Sequence, residues 1–169
     1  MRIGEALALN WSDINIKNQT VTINKTIVQS ASSKTRIQNG AKTKESNRTV
    51  SIDETTISLL LKWKNIQEKK ILSLSDRLVF SYNEVLRTYS RSTIILKKHF
   101  NAAGVHDIGF HGFRHTHASL LMNNDVNPKE IQMRLGHAVY SITMNLYSHL
   151  SKDKKKETVE RFANILKAL

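Results

Sequence analysis

The amino-acid sequence predicts an α+β fold, predominantly helical, in which a small three-stranded antiparallel sheet packs beside a helical bundle. Two observations carry this. Residues 13–28 and 48–52 alternate polar with β-branched side chains, the period of half-buried strands. From Asp53 onward, apolar residues recur at spacings of three and four, the period of helices that bury one face. A length of 169 residues suits one domain with its own core, and no internal repeat or domain boundary interrupts it.

Residues 3–9, IGEALAL, form a short helical segment with Ile3, Ala6 and Leu7 on one side. A helix at the start of a chain lacks a capping residue, and its first turn is expected to fray. Strands follow at 13–16 and 20–28, joined by a tight turn at Asn18-Gln19. Residues 29–46 are polar and basic around Gly40 and read as a long, mobile hairpin connection. Lys34, Arg36, Lys42 and Lys44 make it either a solvated loop or a flexible basic finger lying on DNA, and the total charge favours the finger. The third strand is 48–52, RTVSI. Asp53 is placed to cap a helix whose buried stripe is Leu59, Leu60, Trp63 and Ile66. Residues 78–82, LVFSY, fit a short strand or a buried extended piece. Ser90 opens a helix with Ile94, Ile95 and Phe100 opposite Lys97 and Lys98, and Gly104 is placed to stop it.

The segment 111–123 is helical, with Phe113, Leu120 and Leu121 toward a core and His111 and Arg114 side by side on one face. Asn127 caps and Pro128 opens the next helix, which ends at Gly136 and leaves His137 just beyond its negative end. Residues 139–149 make another short helix carrying Tyr147. After the polar joint SKDKKKE, an amphipathic helix at 153–168 places Val159, Phe162, Ile165 and Leu166 on one stripe.

Lys plus Arg number 26 against 14 acidic residues, a formal charge of +12 that favours a polyanionic partner, nucleic acid before anionic membrane. The absence of cysteine excludes disulfides, zinc–thiolate sites and thiol nucleophiles. No apolar run approaches the roughly 20 residues of a membrane span, and Glu5 is out of place in a secretory signal, so a soluble cytoplasmic protein is expected.

Three chemistries compete. His111, His115 and His117 suggest a metal site, but no HExxH occurs and no carboxylate sits at a matching spacing, so no metal is expected. A Ser-His-Asp hydrolase would call for a G-x-S-x-G elbow, which is absent. Metal-free phosphoryl transfer requires two cations on the non-bridging oxygens, an oxygen nucleophile and an acid for the leaving oxygen. Arg2, Arg114, Tyr147, Lys42 and His111 meet those needs. Singly, each has a plainer reading as a surface ion pair, a packed aromatic or a capping group; the combination carries the weight.

The blocks RIGEALALNWSDI, AKTKESNRTVSI, HGFRHTHASLL and IQMRLGHAVYSITMNLYSHL resemble, in order and approximate spacing, the catalytic-domain blocks of the tyrosine recombinases, the phage integrase family. They are most similar to integrases of Gram-positive phages and conjugative transposons. HxxR followed by LGH and then a tyrosine ten positions later is the specific part. The resemblance implies the fold of the DNA breaking-rejoining enzymes and a site-specific recombinase that works through a 3′-phosphotyrosyl intermediate without cofactor or metal. By that match Tyr147 is the nucleophile, Tyr140 lying too soon after His137. Arg2 and Arg114 clamp the non-bridging oxygens, His111 bonds the phosphate and assists proton movement, and His137 supports the same oxygens or the nucleophile. Lys42 protonates the leaving 5′ oxygen, with Lys44 the alternative, and Glu5 orients a histidine. The implied partners are double-stranded DNA at an attachment or core site and further copies of the chain, a tetramer in the full-length parent, with the C-terminal helix passed to a neighbour. The family's core-binding and arm-binding domains do not align here, so residues 1–169 are read as a C-terminal catalytic domain truncated at its N-terminus. Two alternatives share these features: a DNA-binding remnant that does not cleave, and a type IB topoisomerase-like enzyme.

Overall fold

Val21 and Ile23 alternate with two threonines, and that alternation places the middle strand of the sheet against the core. The protein is described by a computed structural model, which covers residues 1–29, 35–40, 47–70, 76–81 and 85–136. In chain order these contain α1 (Ile3–Leu7), a 3-10 turn (Trp11–Asp13), β1 (Ile14–Asn15), β2 (Thr20–Ile23), β3 (Lys25–Gln29), β4 (Thr35–Asn39) and β5 (Arg48–Ser51). The helices α2 (Glu54–Glu68), α3 (Tyr89–Ala103), α4 (Gly109–Asn123) and α5 (Pro128–Leu135) follow. Among the described residues no helix is long and apolar enough to cross a membrane.

The expected three-stranded antiparallel sheet is present in the order β1-β2-β5, with Val21 opposite both Ile14 and Val50 and Ile23 opposite Arg48. The single strand expected at 20–28 instead divides at Asn24. Its first half stays in this sheet, while β3 turns away to pair with β4 as a separate ribbon, Ile27 facing Ile37. Residues 35–39 therefore belong to a strand rather than to a structureless connection, and Arg36 sits exposed on it opposite Val28. A polar stretch can hold a strand because the ladder bonds come from the backbone, whatever the side chains carry. α1 lies so close to β3 that a Cβ on Gly4 would approach Thr26 Oγ1 to 2.7 Å.

One core lies under the sheet: Leu9, Trp11, Ile14, Val21, Ile23 and Val79, with Leu60 and Trp63 of α2 packed against it. Of the segment expected as a strand or buried extended piece, Leu78 makes a single bridge to Asn10 and the chain then turns at Val79–Phe80. Val79 and Ser81 are buried, Phe80 is exposed, and the Val79 amide donates to Leu9 O at 2.8 Å, while Tyr82 lies outside the described residues. A second core joins α4 and α5 through Ala118, Met122, Ile131 and Leu135.

Most of the expected helix ends hold, but α3 opens ahead of Ser90, because the Thr88 hydroxyl accepts from the Arg91 amide and takes the capping position. Asp53 accepts from the Thr56 amide, Asn127 accepts from the Lys129 amide, and Gly104 and Gly136 close α3 and α5. The stripes depart from expectation. On α2 the inward residues are Ile57 and Gln67 with Leu60 and Trp63 half-buried, whereas Leu59 and Ile66 are exposed. On α3 Ile94 is exposed, and on α4 Phe113 and Leu120 are exposed while Arg114, Ala118 and Met122 form the buried row. α2 turns Gln67 inward because its donor and acceptor both find partners there, and α4 turns Arg114 inward onto the Leu135 carbonyl, matches that hydropathy alone does not register.

Candidate active site

The last carbonyls of an α-helix have no partner within the helix, and they carry the negative end of its dipole. At the end of α5, three successive carbonyls are met by arginines from three other parts of the chain. Arg48 Nε, on β5, donates to Arg134 O at 3.1 Å; Arg114 Nη2, on α4, donates to Leu135 O at 2.7 Å; and Arg2 Nη2, at the start of α1, donates to Gly136 O at 3.1 Å. Residues 134 positions apart in sequence are thereby brought to one helix terminus.

A carboxylate holds two of these guanidiniums. Glu5 is 5 % exposed, and its Oε1 accepts from Arg2 Nη1 at 3.1 Å and Arg48 Nη1 at 3.2 Å. Its Oε2 accepts from Arg48 Nη2 at 2.8 Å and from the Arg2 backbone amide at 2.7 Å. That last bond caps α1, so the helix expected to fray is closed by its own third residue. Burial by itself would raise the Glu5 pKa, but the bonds from Arg48 and Arg2 and their charges hold the carboxyl below its ordinary range. The expectation set Glu5 beside a histidine; among the described residues its partners are arginines.

Arg114 is the most enclosed of the three as a whole residue. Burial, then the charges of Arg2 and Arg48 working against the help of Glu5, lower its pKa to about 10, so it stays protonated at neutral pH. Its Nη1 is buried and, among the described residues, has no hydrogen-bond partner. A buried charged donor left unmet costs on the order of 1–3 kcal/mol, so the group is poised to receive an anion.

The histidines divide. His111 is exposed on the first turns of α4, its ring set edge-on to His115 with centroids 4.3 Å apart. Burial and the charges of His111 and Arg114 lower the His115 pKa. His117 Nε2 accepts from Arg134 Nε at 3.1 Å, which requires that nitrogen to be unprotonated, and burial and the Arg134 charge lower its pKa accordingly. Among the described residues no three His, Asp or Glu side chains gather where they could hold a metal ion.

Of the residues singled out by sequence, Arg2, Glu5 and Arg114 thus come together, and His111 shares a helix with Arg114. Lys34, Lys42, Lys44, His137 and Tyr147, with the helices expected at 139–149 and 153–168, lie outside the described residues. Arg48 was missed. The signal was available in RTVSI, where alternation puts Arg48 on the face of Val50 and Ile52, a charge aimed inward.

Comparison with known proteins adds the following. The model of the phage integrase family matches residues 1–154. The ICEBs1 integrase of Bacillus subtilis is 32 % identical over 98 % of this chain and 46 % of its own length. The integrase of Staphylococcus phage L54a is 29 % identical over 98 % of this chain and 49 % of its own. The chain spans about half the length of these relatives. Among solved structures, the Tn1549 transposon integrase in complex with a circular intermediate DNA superposes with a TM-score of 0.80 at 19 % identity, covering 96 % of this chain and 54 % of that one. The XerA recombinase gives a TM-score of 0.70 at 21 % identity, covering 95 % and 53 %. Both have the same fold as this chain.

Proposed function

The chain belongs to the phage integrase family, and from that premise we propose that it is the catalytic part of a site-specific DNA recombinase serving the integration or excision of a mobile element. The observation that supports this reading best is the arginine cluster on the end of α5, with the Arg114 Nη1 donor buried and unmatched among the described residues. A guanidinium offers paired donors to the non-bridging oxygens of a phosphodiester and stays charged throughout the reaction.

In the proposed reaction Arg2 and Arg114 hold the two non-bridging oxygens of the scissile phosphate. The Tyr147 hydroxyl attacks phosphorus, the bond from phosphorus to the 5′ oxygen breaks, and a 3′-phosphotyrosyl link forms. The tyrosyl proton passes toward the histidines His111 and His137, and Lys42, or Lys44 in its place, protonates the departing 5′ oxygen. One phosphodiester is exchanged for another, so a second strand's 5′ hydroxyl reverses the step without an external energy source. The substrate is double-stranded DNA in the bacterial nucleoid, and copies of the full-length protein act together on it as a tetramer, with the segment 153–168 passed between neighbours. On this reading the core-binding and arm-binding parts of the DNA clamp would belong to the part of the relatives' length that this chain does not span.

The test is adduct formation by the full-length parent on a nicked suicide substrate carrying its core site. Wild type should trap a covalent protein–DNA species, and Tyr147→Phe should abolish it while leaving DNA binding in place. An adduct that survives Tyr147→Phe removes Tyr147 from its role; binding without any adduct in the wild type favours the non-cleaving remnant.

A further inference from the structure

Arg48 has no part in the chemistry just described, yet it ties together the groups that do. Its side chain is 8 % exposed and its fork engages both oxygens of Glu5, while Nε reaches the Arg134 carbonyl. The same guanidinium lies flat against Gly136. A Cβ there would come within 2.6 Å of Nη1, 2.8 Å of Cζ and 3.0 Å of Nε, and the backbone of Gly136 has φ +67°, so no other residue fits without displacing Arg48.

Two consequences follow for the neighbours. Glu5 is shared, and Arg48 occupies half of the acceptor positions that Glu5 offers its two arginines. Arg2 is long and its side chain is 48 % exposed, so with Arg48 removed it can close its own fork on Glu5 and be neutralised there. Gly136 also ends α5, so the packed guanidinium holds the helix terminus whose last carbonyl receives Arg2.

We propose that Arg48 is a positioning residue for strand cleavage: by occupying Glu5 and seating against Gly136, it keeps the Arg2 guanidinium available to the scissile phosphate. This inference rests on the recombinase reading above. Arg48 acts through Arg2, Glu5 and the α5 terminus, and touches no reacting atom.

The test uses the full-length parent in single-turnover cleavage of a suicide substrate, with either the ordinary scissile phosphate or a methylphosphonate in its place. The methylphosphonate lacks one charged non-bridging oxygen and so lowers the demand for a second guanidinium. Arg48→Gln is expected to slow adduct formation on the phosphate by about 10–100-fold, the usual cost of losing a residue that orients a catalytic group, but on the methylphosphonate by less than about 3-fold. Arg48→Lys, which keeps the charge without the fork, should fall between. Both substrates meet the same protein preparation, so a poorly folded variant loses equally on each and the ratio does not move. An equal loss on both, or no loss on either, overturns the inference. A wild-type parent that forms no adduct with either substrate instead overturns the recombinase reading, and this inference falls with it.

Discussion

At the scale of the residue, Glu5 shows how one carboxylate organises several charges. It is buried, it accepts from Arg2 and Arg48 through both oxygens, and it caps the helix it belongs to. Because its folded pKa is depressed, its contribution to stability is complete above the ordinary carboxylate range and is lost as pH falls through and below that range. Glu5→Gln keeps the shape and removes the charge. The variant should therefore be less stable than wild type at pH 7, by about 1–3 kcal/mol, the cost of leaving charged donors underserved. In denaturant titrations that gap should narrow as pH drops below about 4, where Glu5 of the unfolded chain takes up its proton and the folded carboxyl resists. A gap that stays constant from pH 7 to pH 3 would show that the ionised form of Glu5 is not what the arginines hold.

At the scale of the element, α2 is fixed to the sheet by a polar side chain. Gln67 is fully buried on its last turn; its Oε1 accepts from Trp11 Nε1 at 2.8 Å, and its Nε2 donates to the carbonyls of Leu78, Val79 and Ser81. One carboxamide therefore joins the 3-10 turn, α2 and the segment 76–81. Gln67→Ala removes the partner of a buried indole N–H and one donor each from the carbonyls of Leu78, Val79 and Ser81, and should cost about 2–4 kcal/mol in urea denaturation. A loss under about 0.5 kcal/mol, the level of an ordinary surface change, would contradict that account. The same element explains why hydropathy misplaced the stripe: Leu59 and Ile66 rank above Gln67 on any apolar scale, but only Gln67 matches the polar groups it meets.

At the scale of the whole molecule, the formal charge of +12 matters through the field it makes over a long polyanion. If the chain holds DNA chiefly by phosphate contacts, log K should fall linearly with log salt concentration, with a slope of about −0.9 per phosphate neutralised. Six to ten contacts would give a slope of roughly −5 to −9, measurable by fluorescence anisotropy on a labelled duplex. A slope shallower than about −2 would place the basic residues elsewhere than on the DNA backbone.

The strand alternation of TVTI and RTVSI, the caps at Asp53 and Asn127 and the helix stops at Gly104 and Gly136 were all legible in sequence. Each is decided by residues within a turn or a strand of one another, where backbone geometry and local hydrogen bonding leave little choice. That His111 and Arg114 lie on one helix was legible for the same reason, and the spacing of HxxR, LGH and tyrosine pointed to the family that the chain belongs to. The break at Asn24 that sends β3 into its own ribbon, the inward turn of Gln67 and Arg114, and the place of Arg48 were decided only by tertiary structure. These depend on partners 11 to 86 residues away, since a buried polar group is stable only where its partners already stand. Sequence supplied the arginines Arg2 and Arg114; the fold supplied the helix end and the carboxylate that hold Arg2, Arg48 and Arg114 together against their own repulsion.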